Sequence, residues 1–212
     1  MEFVLKRVDP VQKQTIHGLA ALESLSPMDP PDAYAPPSIV PVALEDMHPY
    51  LRKMVEEHQP FRLEVDAFED AIISIQKGGY TKEVDGRLRH FLNFLDEEFI
   101  DHNRREEAAL FPLLKLRLLA AGEHGSGANP ETPVDLMQDE HIKAVQLAAV
   151  ILNFLGPAFR LPDEGTRLIV LDAALEQGKF LVELLRLHMF REDNVIFPLA
   201  QQLLTPAELD RM

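Results

Sequence analysis

The sequence predicts an all-α protein, an antiparallel up-down four-helix bundle with a Pro-rich N-terminal arm. Three observations predict it. Apolar residues recur at alternating spacings of four and three along four long stretches. Gly- and Pro-rich clusters separate those stretches, at residues 77–81, 122–130 and 156–163. A thirteen-residue segment is also written twice. His102-Asn-Arg-Arg-Glu-Glu-Ala-Ala-Leu-Phe-Pro-Leu-Leu returns 86 residues later as His188-Met-Phe-Arg-Glu-Asp-Asn-Val-Ile-Phe-Pro-Leu-Ala, with six positions identical.

Residues 1–44 form the N-terminal segment and arm. Seven prolines fall between residues 27 and 49, and proline removes an amide donor and pushes its predecessor out of helical geometry, so this stretch is extended. Upstream, residues 11–25 suit a short amphipathic helix around Ile16, Leu19 and Leu22. The bundle occupies residues 45–204, and residues 205–212 are a C-terminal tail.

Helix α1 is expected over 45–77, with a stripe of Leu51, Met54, His58, Phe61, Val65, Phe68, Ile72 and Ile75. Helix α2, over 82–120, carries Leu88, Leu92, Leu95, Phe99, His102, Glu106, Ala109 and Leu113. Helix α3, over 132–155, carries Val134, Met137, His141, Ala144, Ala148, Ile151 and Leu155. Helix α4, over 163–204, carries Leu171, Ala174, Gly178, Leu181, Leu185, His188, Glu192, Val195 and Leu199. Each stripe faces the core and is apolar except at one histidine and, on α2 and α4, one glutamate. No other charged residue lies on a stripe.

A His four residues before a Glu presents imidazole and carboxylate on one helical face. The spacing alone is weak, because among eight histidines and 35 acids about one such pair arises by chance. A lone core histidine is usually just hydrogen-bonded. Four histidines and two glutamates on four converging stripes are different in kind, since burying them without partners is costly. No Lys or Arg shares a stripe to pair with them. A metal satisfies all six at once, which makes His58, His102, Glu106, His141, His188 and Glu192 the expected ligands. His58 and His102 each lie about 20 residues from the α1–α2 turn, some 30 Å along the helix at ~1.5 Å per residue. His141 and His188 are less evenly placed, about 15 residues before their turn and 25 after it. His17, His48, His90 and His124 fall off the stripes and read as surface or loop residues. Arg105 and Arg191 point away from the stripes and suit surface ion pairs. Each Phe-Pro pair kinks its helix after the glutamate, either as a simple bend at the bundle's end or as a wall of Phe111 and Phe197 around the site.

Composition narrows the chemistry further. The chain holds no cysteine, which excludes disulfides, thiolate zinc sites and iron–sulfur clusters held by this chain. A net charge of −14 offers no basic patch for nucleic acid or for an anionic membrane. Residues 1–7 lack an apolar signal core and no unbroken run of about 18 apolar residues exists, so a cytoplasmic protein without membrane spans is expected.

With its two His-x-x-x-Glu…Phe-Pro motifs and its Glu57-His58 and Glu140-His141 dipeptides, the chain resembles the hemerythrin-like (HHE cation-binding) family over residues 45–204. The resemblance implies two iron ions, with His58, His102, His141 and His188 as terminal ligands and Glu106 and Glu192 as bridges. Oxygen-carrying members have a second histidine one turn from the α3 ligand, where this chain has Met137 and Val145. Four histidines with two glutamates are closer to the di-iron branch that includes iron–sulfur cluster repair proteins. Those often add a Cys-containing N-terminal domain, for which this chain has a Pro-rich arm. Asp193 matches the aspartate spacing of the oxygen carriers, but Glu192 fits the repeat and the stripe.

Two histidines per metal plus shared carboxylates leave open positions for O2, NO or peroxide, in oxidative or nitrosative stress response, sensing or iron supply. Imidazole and carboxylate also accept manganese or zinc. Catalysis, if present, is that of a non-haem di-iron oxidoreductase. The rival expectation is a protein-interaction or regulatory module with a structural metal, a protein partner or a homodimer.

Overall fold

The computed structural model describes residues 40–125, 128–158 and 160–212. Residues 1–39 lie outside it, including the expected 11–25 helix, His17 and most of the Pro-rich arm. The described residues contain helices and no strand.

Helix α1 spans Pro49–Gly78. Pro49 sits at its first turn, where a missing amide costs nothing, and the His48 ring accepts from the Tyr50 amide. Gly79, at φ +82°, ends it. Helix α2 begins at Lys82, capped by Thr81 accepting from the Val84 amide, and ends at Ala121 before Gly122 at φ +79°. Helix α3 spans Pro133–Ala158. Helix α4 begins at Glu164 behind the Asp163 cap and runs to Leu203. A short helix, α5 (Pro206–Leu209), follows behind a Thr205/Glu208 capping box and buries Leu209 in the core. Helix α1 packs against α2 and α4, and α3 packs against α4. At Gly178 an added Cβ would stand 2.7 Å from Ile72 Cδ1, so the bare glycine sets how closely α4 approaches α1.

Three π-turns interrupt the α-helical ladder: Leu95–Phe99 and Glu106–Leu110 in α2, and Glu192–Ile196 in α4. In the last two the Phe111 and Phe197 amides donate five residues back, to Glu106 and Glu192. Pro112 and Pro198 follow at once, so a residue without an amide sits where the ladder changes register. The expected kinks thus take the form of π-turns. The extra residue also corrects the expected stripes. Beyond Glu106 the fully buried residues of α2 are Leu110, Phe111, Leu114 and Leu118, while Ala109 and Leu113 are only half-buried. In α4, Ile196 is buried where Val195 was expected.

The core forms two apolar clusters, one around Phe68, Ile72, Phe91 and Leu181 and the other around Leu51, Leu114, Met137 and Phe197. On each helix the stripe polar residues separate members of one cluster from members of the other: His58 lies between Met54 and Phe61, and His141 between Met137 and Ala144. Averaged over 18 residues, α3 is long and apolar enough to cross a membrane by length and composition, the one such helix among the described residues. Its Ile142, Val145 and Leu152 are exposed, while Glu140 and His141 are buried.

Candidate metal centre

The structure brings all six expected residues together between the two apolar clusters, none more than 4% exposed. His58 and His102 approach Nε2 to Nε2 at 3.2 Å, and His141 and His188 at 3.1 Å. The unevenly placed α3–α4 pair therefore meets as closely as the other. Glu192 reaches both pairs, with Oε2 3.2 Å from His58 Nε2 and Oε1 3.1 Å from His188 Nε2. Glu106 does the same, 3.6 Å from His102 Nε2 and 3.4 Å from His141 Nε2. Two groups of side chains each offer ligand atoms within 4.8 Å of one another: Glu106, His141, His188 and Glu192, and His58, His102 and Glu192.

Behind each histidine stands a further carboxylate. His102 Nδ1 donates to Glu57 (2.8 Å), His188 Nδ1 to Glu140 (3.1 Å), His141 Nδ1 to Glu107 (2.8 Å) and His58 Nδ1 to Asp193 (2.8 Å). This fixes the tautomer by the network, with the proton on Nδ1 and Nε2 turned inward. Arg105 grips Glu57 with two bonds of 2.9 and 2.6 Å, Arg191 binds Glu140, and Arg62 binds Asp193. Arg105 and Arg191 therefore lock the supports of His102 and His188, a correction to their expected surface role. Glu140 is buried beside its stripe, so acids within the core are not confined to Glu106 and Glu192. Asp193 supports His58, while Glu192 faces the Nε2 atoms.

Aromatic rings close the site. Phe197 stacks on His58 at 5.8 Å and Phe111 on His141 at 5.6 Å, so both Phe-Pro motifs build the wall. Of the off-stripe histidines, His90 and His124 are exposed, but His48 caps α1 and contacts Asp210 at 3.2 Å. Tyr50 also went unnoticed in the sequence. Its hydroxyl is buried without a partner, and burial, with the nearby charge of Glu106, pushes it up to about 12.

The charges are strongly coupled. Burial pulls His102 down, but the adjacent carboxylates of Glu106 and Glu57 outweigh that and lift it to about 9. In His141 burial is likewise outweighed by Glu106 and Glu192, which raise it to about 9. In His188 burial is outweighed by the charge of Glu192 and the bond to Glu140, giving about 10. Glu192 stays well below the usual carboxylate range despite burial, because His188, His141 and His58 surround it. The site demands positive charge at one point, supplied by protons on Nε2 or by metal ions.

The donor set fits metal. All four carboxylate oxygens of Glu106 and Glu192 are buried without a hydrogen-bond partner. With each Nδ1 donating outward, every inward Nε2 that lacks a proton presents a lone pair to its neighbour. A cation resolves both conflicts, and the ligand set is imidazole and carboxylate alone, without thiolate.

Paired His-x-x-x-Glu arms inside a helical bundle define a class of protein that holds metal on carboxylate and imidazole. A family model described as the hemerythrin HHE cation binding domain matches residues 49–200. The chain belongs to that family and is a hemerythrin-like metal-binding domain. It is 30% identical over 113 residues to an iron-sulfur cluster repair protein YtfE of Cronobacter sakazakii, covering 53% of this chain and 46% of that one. Proteins of the same name from Escherichia coli O1:K1 and Escherichia fergusonii are 29% identical over the same coverage. The chain thus spans about half the length of the curated relatives it matches. No solved structure matches it.

Proposed function

We propose that this domain holds two iron ions and binds or reacts with O2, NO or peroxide, in oxidative or nitrosative stress response, sensing or iron supply. The observation that carries the proposal is the set of four unpartnered, fully buried carboxylate oxygens of Glu106 and Glu192, facing two pairs of imidazole nitrogens. His58 and His102 would hold one ion, His141 and His188 the other, with Glu106 and Glu192 shared between them in an antiparallel up-down bundle. Iron in such a set supplies one-electron redox chemistry and open positions for a small ligand. Glu57, Glu107, Glu140 and Asp193 hold the four imidazoles in place, and Phe111 and Phe197 keep water from the walls. A role in iron–sulfur cluster repair or iron supply rests on the relatives, of which the chain covers under half.

The test is metal analysis of the full chain expressed with added iron, together with its optical spectrum before and after air and NO. About two irons per chain with a spectrum that cycles supports the proposal. Stoichiometric zinc with no response to either gas favours the structural-metal interaction module instead, and absence of metal sinks both.

A further inference from the structure

The centre is built as a repeat, in which Glu57, His58, His102, Arg105 and Glu106 correspond to Glu140, His141, His188, Arg191 and Glu192. An outward position breaks it. Four residues after His58, Arg62 binds Asp193 and closes the α1–α4 flank. Four residues after His141 stands Val145, and Glu107, the acid behind His141, is left 41% exposed without an arginine among the described residues.

The open flank is the seam between α2 and α3. Helix α3 packs closely against α4, but α2 nears it mainly through the turns of Phe111–Ala121. Two cavities, of about 560 and 390 Å³, follow one another between the two helices and share Ile100 and Val145. From α3 they are lined by Ile142, Val145, Ala149 and Leu152, spaced by three, four and three residues, as in a seam that meets another helix. All four are exposed. From α2 the lining row is Asn93, Asp96, Ile100, Arg104 and Glu107, with polar side chains at both ends. Neither Asp96 nor Arg104 has an ion-pair partner among the described residues.

We propose that this cleft is the interface with a second copy of the chain, seated antiparallel. A twofold axis that crosses both helices near Ile100 sets α3 on α3 and α2 on α2. Ile142 then meets Leu152 of the second copy and Val145 meets Ala149, so two exposed apolar rows cover each other. In the same register Arg104 faces Asp96 of the second copy, Glu107 faces Asn93, and Ile100 faces itself. Each pairing occurs twice, as an isologous interface requires. An axis running along the helices would instead lay the apolar row of α3 on the charged row of α2, which leaves Arg104 and Asp96 desolvated and unpaired. An anionic lipid surface is disfavoured by Asp96 and Glu107 at the two ends of the row. The second copy also gives Glu107 an amide donor, so the acid behind His141 is held from outside the chain as Asp193 is held by Arg62. Two rows of this length bury roughly 600 Å² per partner, near the lower bound for specific association, so the dimer is concentration-dependent.

The test is sedimentation velocity of the full chain from micromolar to near-millimolar concentration, over which the mass should rise from one chain to two. Arg104→Asp and Asp96→Arg each set like charges opposite one another twice and should weaken the dimer about tenfold or more. The chain carrying both substitutions restores opposite charges and should regain the parent's affinity. Val145→Glu should remove the dimer. Circular dichroism of every variant should match the parent, because all three positions are exposed. A single-chain mass at every concentration would overturn the proposal and leave the cleft to a different protein. A dimer undiminished by Val145→Glu, or a double variant no better than the single ones, would overturn it as well. The readout needs no iron, so failed iron loading strikes the proposed function alone.

Discussion

The two halves of the centre are alike where they face the carboxylate bridge and unlike where they face the bundle surface. His58 and His141 each lean on an acid from the neighbouring helix, yet only the Asp193 support of His58 is clamped by an arginine. Glu107, behind His141, stands half in solvent beside a cleft. The difference teaches that inward geometry is over-determined by burial and charge, whereas the outer face tolerates Arg on one side and Val on the other.

The largest effect is expected at the bridges. Glu192 belongs to both ligand groups and Glu106 to one. Glu192→Gln should therefore abolish metal binding, while Glu106→Gln should retain metal at His58 and His102, as read by metal content after desalting. Equal losses from both would erase the asymmetry. Next come the supports: Glu57→Ala and Glu140→Ala should each lower metal affinity about 10–100-fold, measured by chelator competition. Glu107→Ala should cost less, because water can take the place of an exposed carboxylate.

A third effect is in pH. His102, His141 and His188 rise to about 9, 9 and 10 in the fold, so the metal-free chain binds more protons folded than unfolded above pH ~6.5. Its stability should be full below that pH and fall as the pH climbs toward 10. The loss in Tm should exceed the roughly 2–4 °C that 1 kcal/mol makes in a chain this size. The metal-loaded protein, whose Nε2 atoms carry no proton, should lack this fall over the same range. The smallest effect is at Tyr50→Phe, which removes an unpartnered buried hydroxyl. It should leave the melting temperature unchanged or raise it by the equivalent of ~1 kcal/mol or less.

Much of this arrangement was legible in the sequence. The six inner residues stood out because each interrupts an apolar stripe, and all six meet. Helix limits fell within a few residues, set by His48-Pro49, Thr81, Gly122 and Asp163. The π-turns were hidden, since an inserted residue carries no propensity of its own, and the stripe beyond Glu106 was accordingly placed one residue short. The outer acids were hidden for a geometric reason. Glu57, Glu107, Glu140 and Asp193 each adjoin an inner ligand in sequence, and a rotation of about 100° per residue aims them at the neighbouring helix. Pairwise contact between helices decides their partners, and periodicity within one helix does not report it.

The π-turn at Glu106–Leu110 makes α2 a helix that carries one residue more than its ladder needs. Deleting Ala108, an exposed member of that turn, is thus a different operation from substituting it. The shortened segment can close as ordinary α-helix, with Phe111 then four residues after Glu106 and its amide still on the Glu106 carbonyl. Phe111 would keep its place on His141, and Leu114 its place in the second apolar cluster. A single lost codon there would erase the π-turn while leaving ligands and wall in register, so this stretch of the gene can absorb a gap that an uninterrupted α-helix could not.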